Sequence, residues 1–187
     1  IENAVAEVAA QGGIVLTPPT NLASRGILAV IEDPQGAFFA LLQTHSGDPM
    51  NSEPRPGSFL WDELWTRDVK ASTSFYQAVL GYEREDDAFA DSERSYSVFK
   101  SQGVNRAGIL HHPFPDVRPV WANYLWVDDP SSVTARVEGL DGKILVETQQ
   151  REIGGQVALI SGPSGAGIAL QTWPLTIEQQ GEEKNDE

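Results

Sequence analysis

The sequence predicts an α+β fold assembled from repeated modules, each made of one strand, one helix and three further strands. Three observations predict this fold. Gly13 recurs as Gly142, 129 positions later (142 − 13 = 129). The same offset, here called the longer offset, relates the first part of the chain to the last part. Asp68 recurs as Asp129 at a shorter offset, which also relates Gly81 to Gly142. Hydrophobic spacing changes from helical to alternating inside each repeat, as expected for a supersecondary unit used more than once.

The longer repeat begins with residues that follow a helix pattern, without a strand in front of them. Its matches are turn glycines and alternating apolar positions, where backbone geometry and burial restrict the choice of residue. We therefore expect a module that lacks its front half, within a fragment of a longer protein. The first copy contributes Ala6, Val8, Gly13, Leu16, Gly26, Ala29, Ile31, Pro34, Gly36, Ala37, Ala40 and Leu41, each matched by the same residue type at the longer offset.

The first copy predicts a helix over residues 1–10, which ends at Gly12-Gly13. A short strand, Ile14–Leu16, should be broken by Pro18-Pro19. Two strands over 26–31 and 37–42 are joined by Asp33-Pro-Gln-Gly36, a turn sequence. Residues 44–56 are rich in Gly, Pro, Ser and Asp, which favours a linker.

The next module begins with a predicted strand over residues 57–66, GSFLWDELWT. Asp68 should cap a helix that runs to about Leu80, and Gly81 should end it. Three short strands are expected within 84–110, with turns near Ala90-Asp91 and Gln102-Gly103.

A proline-containing connection over residues 111–118 leads to the last module, whose first strand is predicted over 120–127. Asp129 should cap its helix, with Pro130 at the favoured first helical position and Gly142 at the end. Three strands follow and finish at GIALQTW. Residues 57–173 thus hold two whole modules.

Composition narrows the function classes. The 187 residues contain 13 Lys plus Arg against 27 Asp plus Glu, a formal charge of −14. This balance argues against a nucleic-acid partner, which needs a basic face. The absence of cysteine excludes disulfides and thiol chemistry. No apolar run approaches the ~20 residues of a membrane helix, so no membrane partner is expected.

Three segments carry a resemblance: WDELWTRDVKASTSFYQAVLGYE at 61–83, DPQGAFFALLQ at 33–43 and GPSGAGIALQTW at 162–173. With these residues the chain resembles the vicinal oxygen chelate superfamily, also called the glyoxalase/bleomycin-resistance/dioxygenase superfamily. The resemblance implies paired βαβββ modules whose curled mixed sheets form a cup. It divides the chain into a half-module of a first domain (1–43), a linker (44–56), a complete domain (57–174) and an acidic, disordered tail (175–187).

The resemblance also implies where a divalent metal would be held, by His, Gln or Glu side chains from four strands. By register these positions fall at Trp61, Leu110, Ala122 and Ala169, with Ala40 as the counterpart in the half-module. Trp, Leu and Ala side chains cannot ligate a metal. We therefore predict no cofactor. The alternative is a displaced divalent-metal site at Glu63, His112 and Gln171, which lie two residues from vacant positions and so on the same strand faces.

Strand parity instead predicts a cup lined by aromatic and a few polar side chains. The predicted ligand-binding residues are Trp61, Glu63, Trp65, His112, Tyr124, Trp126, Gln171 and Trp173. Such a surface suits a small molecule that stacks on aromatic rings or carries a positive charge. The alternative is that these side chains pack as ordinary core and leave no cavity.

The leading hypothesis is a metal-independent binding protein for a small aromatic or cationic molecule. A divalent-metal lyase or extradiol-type dioxygenase and a structural or interaction module with a filled cup are the alternatives, so catalysis stays open. The half-module should associate with a second copy of the chain or with the missing half-module. A cytoplasmic location is favoured, with a secreted or periplasmic one as the alternative because the N-terminus is missing.

Overall fold

The computed structural model describes residues 1–47, 51–86, 96–151 and 154–173. The helices in this part of the chain are α1 (Glu2–Ala10), α2 (Val69–Leu80) and α3 (Pro130–Val137). The strands are β1 (Ile14–Asn21), β2 (Ile27–Glu32), β3 (Phe38–Gln43), β4 (Phe59–Thr66), β5 (Glu83–Asp86), β6 (Tyr96–Ser101), β7 (Val104–His111), β8 (Val120–Trp126), β9 (Lys143–Gln150), β10 (Gln156–Ser161) and β11 (Gly167–Gln171). The predicted α+β class is confirmed.

The chain divides into two compact units. Unit 1 comprises residues 1–53 and 61–122, and unit 2 comprises residues 54–60 and 123–187. In unit 1, β5, β6 and β7 are antiparallel neighbours and β7 runs parallel to β4. In unit 2, β9, β10 and β11 are antiparallel neighbours and β11 runs parallel to β8. The same strand pairing therefore recurs in both, as the repeat at the shorter offset predicts.

The predicted helix caps are present because short-range hydrogen bonding decides them. The Asp68 carboxylate accepts a hydrogen bond from the Ala71 amide at 2.9 Å, and Asp129 accepts one from the Ser131 amide at 2.9 Å. Gly81 ends α2 in the left-handed conformation with φ 67°. The predicted turn at Ala90-Asp91 and the acidic tail over 175–187 lie outside the described residues.

Strand β1 differs from its prediction because it runs from Ile14 through Pro18-Pro19 to Asn21. Its pairing with β2 shifts register between Thr17 and Thr20, so the two prolines occupy the irregular part of the ladder. Strand β1 also lies at the edge of the three-stranded sheet β1-β2-β3. Edge strands and bulges are where a sheet tolerates proline, since the missing N–H need not pair there.

The first 43 residues pack inside unit 1. One face of their sheet and the helix α1 bury Val8, Ile31 and Ala37, each 0% exposed, against α2 and its neighbours. The other face leaves large apolar side chains exposed: Ile14, Leu16, Phe38 and Leu42. Whether a partner covers this exposed face stays a prediction. No helix in the described part of the chain is long and apolar enough to cross a membrane.

The prediction that Gly142 ends a helix is wrong in its detail. The left-handed residue after α3 and its short 3-10 turn is Asp141, with φ 59°. A Cβ atom on Gly142 would lie 2.7 Å from the Ser161 carbonyl oxygen and 2.8 Å from Val137 Cγ1. A Cβ atom on Gly13 would likewise lie 2.9 Å from Val8 Cγ1. In both copies of the repeat, glycine at this position therefore allows close packing.

We expect Gly142→Ala to lower the free energy of unfolding by about 1–3 kcal/mol, because the added methyl group overlaps a backbone oxygen and a buried valine. Chemical denaturation monitored by circular dichroism measures the loss. Gly139→Ala is the matched control, since a Cβ atom there meets nothing within 4 Å. Equal stability of the two variants would contradict the close-packing role of Gly142.

Candidate functional site

The predicted residues of β4 lie on one face of the unit 1 sheet. Glu63 is the register partner of Gly108 on β7, and Trp65 is the partner of Leu110. Trp61, Glu63 and Trp65 therefore share a face with Gly108 and Leu110, since neighbours in a ladder point to the same side. The parity used in the sequence prediction holds for this strand.

Four side chains on this face form a hydrogen-bonded group, here named the Glu63 cluster: Trp61, Glu63, Trp65 and Tyr96. Glu63 is only 3% exposed. Its Oε1 accepts a hydrogen bond from the Tyr96 hydroxyl at 3.1 Å, and its Oε2 accepts one from Trp65 Nε1 at 3.1 Å. The Tyr96 oxygen in turn accepts a hydrogen bond from Trp61 Nε1 at 2.9 Å. The cluster is thus a buried carboxylate held by aromatic donors.

Glycine at position 108 makes room for the Glu63 cluster. A Cβ atom there would lie 2.1 Å from the Tyr96 hydroxyl oxygen and 3.1 Å from Glu63 Cγ. Tyr96 itself was not among the predicted site residues. Its position opposite Leu110 depends on the pairing of β6 with β7, and the sequence indicates these strands without fixing their register.

His112 lies beside the Glu63 cluster without joining its hydrogen bonds. Its ring stands edge-on to Trp65 with a centroid distance of 5.7 Å. Nδ1 accepts a hydrogen bond from the Phe114 amide at 3.0 Å, so Nε2 carries the proton and donates to the Arg118 carbonyl oxygen, also at 3.0 Å. Both ring nitrogens therefore hold the backbone after β7, and neither offers a lone pair to a metal.

Burial lowers the pKa of His112, the hydrogen bond to the Arg118 carbonyl oxygen opposes this in part, and the electrostatic effects of Arg67 and then His111 lower the pKa further. The unfolded chain then binds the proton more readily than the folded chain does. His112 therefore contributes stability above its ordinary pKa of about 6.5, and that contribution is lost as the pH falls through the lowered folded-state pKa.

We expect His112→Leu to lower the free energy of unfolding at pH 7.5 by about 1 kcal/mol, because two partly buried backbone groups lose their partner. The decrease in stability from pH 7.5 to pH 5 should also be smaller in this variant than in the unaltered chain. Urea titrations at both pH values measure this, with the exposed neighbour His111→Leu as control. Identical pH dependence with and without His112 would contradict the assignment.

The remaining predicted residues belong to unit 2. Tyr124 is the register partner of Ala169, and Trp126 is the partner of Gln171, so the four share a face. Gln171 Oε1 accepts a hydrogen bond from Arg151 Nη1, and the Arg151 guanidinium lies 5.9 Å from the centre of the Tyr124 ring. Sequence reasoning did not identify Arg151, because it lies near the end of β9 and approaches these residues only through the tertiary fold.

Trp126 differs from its neighbours because its indole N–H is buried without a hydrogen-bond partner. A buried unpaired donor is uncommon in folded proteins and is often satisfied by a water or a bound molecule. Trp173 follows the end of β11 and is 40% exposed, so it contributes an accessible ring to the surface of unit 2.

The residues at the implied metal positions do not fit a divalent ion. Trp61, Leu110, Ala122 and Ala169 have no ligating atom for it. The displaced alternative fits no better, since the oxygens of Glu63, the nitrogens of His112 and Oε1 of Gln171 all make hydrogen bonds within the chain. Within the described ranges, no group of three or more His, Cys, Asp or Glu side chains could hold a metal.

Comparison with known proteins places this geometry in a family. The family model for the glyoxalase/bleomycin resistance protein/dioxygenase superfamily matches residues 58–170. The chain is 29% identical over 168 residues to "Putative glyoxylase CFP32" of Mycobacterium tuberculosis, covering 89% of this chain and 63% of that protein. It is 31% identical over 163 residues to "Anthracycline biosynthesis protein DauV" of Streptomyces sp., covering 85% and 57%. The chain thus spans less than two thirds of these curated relatives.

Solved structures agree on the fold. The Mn(II)-bound glyoxalase from Novosphingobium aromaticivorans superposes with a TM-score of 0.57 at 17% identity, covering 92% of this chain and 58% of that one. The 2,3-dioxygenase LapB from Pseudomonas sp. KL28 superposes with a TM-score of 0.55 at 14% identity, covering 97% and 70%. At these identities the similarity shows a shared architecture, and function must be argued from the site.

Proposed function

The chain belongs to the glyoxalase/bleomycin resistance protein/dioxygenase superfamily. Within this superfamily, we propose that it is a metal-independent protein that binds a small aromatic or cationic molecule. The observation that carries the proposal is the buried Glu63 carboxylate, which accepts hydrogen bonds from Trp65 and Tyr96, while Trp61 donates to the Tyr96 oxygen. Strand positions that supply metal ligands elsewhere in the family hold Trp61, Leu110, Ala122 and Ala169 here.

The Glu63 cluster suits a cationic or aromatic ligand for two reasons. A carboxylate in a poorly solvated environment attracts a positive charge more strongly than it would in water. Indole and phenol rings add stacking and cation–π attraction. Trp61 is only partly buried, which supports access from solvent. We assign Trp61, Glu63, Trp65 and Tyr96 as the ligand-binding residues of unit 1, with His112 as a positioning residue that packs on Trp65.

Unit 2 supplies a separate set of proposed ligand contacts: Tyr124, Trp126, Gln171 and Trp173. The unpaired indole N–H of Trp126 supports this assignment, because a ligand acceptor would satisfy it. Arg151 positions Gln171 by donating to its side-chain oxygen. The runner-up function is a divalent-metal lyase or dioxygenase. It is favoured by the structural similarity to a Mn(II)-bound glyoxalase, whereas the hydrogen bonds of Glu63, His112 and Gln171 count against it.

Two measurements on the full chain separate these functions. Elemental analysis of protein purified without chelator should find no stoichiometric divalent metal. Chelator-treated protein should still bind small aromatic cations, for example benzyltrimethylammonium, with a rise in melting temperature and a saturable change in tryptophan fluorescence. A ligand at 100 times its Kd should stabilise the fold by about 2.7 kcal/mol. Near-stoichiometric metal that is lost in Glu63→Ala would overturn the proposal and favour the metal enzyme.

A further inference from the structure

Unit 2 contains an open apolar groove, here named the unit 2 groove. Its volume is about 520 Å³, and Phe59, Val137, Leu140, Ile160, Pro163 and Ile168 line it. Phe59 is 67% exposed and Leu140 is 70% exposed. Large apolar side chains gathered in one concave surface indicate a partner that removes them from water.

The internal repeat supplies a counterpart of this groove inside the same chain. The longer offset relates Val137 to Val8, Ile160 to Ile31, Ala166 to Ala37 and Ile168 to Phe39. The close packing of Gly142 on Val137 has its equal in Gly13 on Val8. The repeat therefore relates the groove to a corresponding surface of unit 1.

In unit 1 the counterpart surface is covered by α2. Phe39 contacts the Phe75 ring at 6.3 Å and the Tyr76 ring at 5.3 Å, measured between centroids. A Cβ atom on Gly13 would lie 3.0 Å from Phe75 Cε2. Under this helix Ile31 and Ala37 are 0% exposed.

The equivalent positions in unit 2 are open. Ala166 is exposed where Ala37 is fully buried, and Ile160 is partly exposed where Ile31 is fully buried. Positions related by the repeat are thus covered in one copy and uncovered in the other. The covering element in the first copy is an amphipathic helix with two adjacent aromatic residues.

We propose that the unit 2 groove docks an α2-like helix, contributed by a further βαβββ module and bearing an aromatic pair in place of Phe75-Tyr76. Recognition follows the helix-in-groove mode, in which apolar anchors on one helix face fill a hydrophobic surface. The curated relatives extend beyond the stretch that this chain matches, so proteins of this family have room for such a module.

The residues around the groove also predict which pair of residues the docked helix should carry. In unit 1 the Asp33 carboxylate receives the Tyr76 hydroxyl, and the Gln35 amide bonds the Asp68 carbonyl and Ser72. Their counterparts in unit 2 are Gly162 and Ser164, and the exposed Leu140 replaces Gln11. A tyrosine at the second position would leave its hydroxyl buried without that acceptor. The docked helix should therefore carry phenylalanine or another apolar residue where α2 carries Tyr76.

The test uses the full chain and a peptide of residues 67–82 with Tyr76→Phe. A covalent bridge between its positions 70 and 74, both exposed on α2, keeps it helical. Fluorescence anisotropy should show saturable binding of the peptide with a Kd below about 1 mM. Leu140→Asp should weaken binding at least about tenfold, because it places a charge in the apolar lining of the groove. Leu145→Asp, which changes a leucine that is 51% exposed outside the groove, should leave binding within about twofold.

The bridged peptide with the native Tyr76 should bind several times more weakly than the phenylalanine peptide. No saturable binding, or equal effects of the two leucine substitutions, would overturn the proposal. Sedimentation velocity tests the competing occupant, a second copy of this chain. If the chain forms a dimer that Leu140→Asp dissociates but the peptide does not, the groove is a self-association surface. That result would also overturn the proposal. The small-molecule site of the Glu63 cluster is independent of each outcome.

Discussion

Tyr76→Ala is expected to be among the most destabilising single substitutions in unit 1, with a loss of about 3–5 kcal/mol in the free energy of unfolding. Tyr76 is 0% exposed, and its ring packs against Phe39, Phe75, Phe99 and Trp121. Removing the side chain leaves a cavity between the first 43 residues and α2. Neighbouring side chains on two sheets and a helix cannot all move to fill it.

The hydroxyl group of Tyr76 adds a polar link to this packing. It donates a hydrogen bond to Asp33 Oδ2 at 3.0 Å and accepts one from Trp121 Nε1 at 3.0 Å. Asp33 is 3% exposed, and its Oδ1 accepts from the amides of Gln35 and Ala37 at 2.9 Å each. Burial and then the Asp33 carboxylate raise the pKa of Tyr76 far above its ordinary value, so the hydroxyl stays protonated and remains a donor.

Denaturant titration of a short variant series separates the cavity from the hydrogen bonds. Tyr76→Phe keeps the ring and should cost about 1–3 kcal/mol, since two buried polar groups lose their partner. Tyr82→Phe is the control, because its ring packs on Phe99 at 5.5 Å but is only partly buried; it should change stability by no more than about 0.5 kcal/mol. A double-mutant cycle of Tyr76→Phe with Asp33→Ala should give a coupling of about 0.5–3 kcal/mol. Additive losses would contradict the link between α2 and the turn at Asp33.

How much of this architecture the sequence predicts depends on the range of the forces involved. The caps at Asp68 and Asp129 and the turn between β2 and β3 rest on hydrogen bonds between residues a few positions apart, and all are as predicted. The path of β1 through Pro18-Pro19 was missed, because proline is tolerated only where a strand lies at an edge or bulge. Sequence spacing does not state which strand lies at an edge.

The candidate site divides in the same way. Alternation along β4 correctly predicts that Trp61, Glu63 and Trp65 share a face, since that rule needs only one strand. Tyr96 and Arg151 approach the predicted residues from other strands, so their register had to be known first. Residue type and strand parity with Leu110 make His112 a candidate metal ligand. Its nitrogens bond the backbone of the following loop, which residue type could not reveal.

Glu63→Ala is expected to abolish the binding of small aromatic cations and to lower the free energy of unfolding by about 2–4 kcal/mol. Two donors, Trp65 Nε1 and the Tyr96 hydroxyl, lose their acceptor in a region where Trp65 is 8% exposed. Each unsatisfied buried group costs about 1–3 kcal/mol. The ligand in turn loses the carboxylate that we propose attracts its charge.

Glu63→Gln separates these two effects. Its oxygen can accept from Trp65, while its amide can donate to the Tyr96 oxygen, so stability should fall by no more than about 1–1.5 kcal/mol. The charge is nevertheless gone. Affinity for benzyltrimethylammonium, measured by fluorescence titration, should therefore drop at least about tenfold, as expected for removal of a desolvated charge partner. A neutral aromatic compound of similar size should lose no more than about twofold.

Gly108→Ala provides an independent check, because it leaves the charge in place and disturbs only the geometry. The added methyl group would lie 2.1 Å from the present position of the Tyr96 hydroxyl oxygen and would therefore force this hydroxyl away from Glu63. Tyr96 is only partly buried and can move, so binding of both the cationic and the neutral compound should weaken with a smaller loss of stability. If Glu63→Gln and Gly108→Ala both leave binding unchanged, the ligand binds elsewhere. If the unaltered chain binds neither compound, the aromatic side chains of this face are filled core, and the proposed function is wrong.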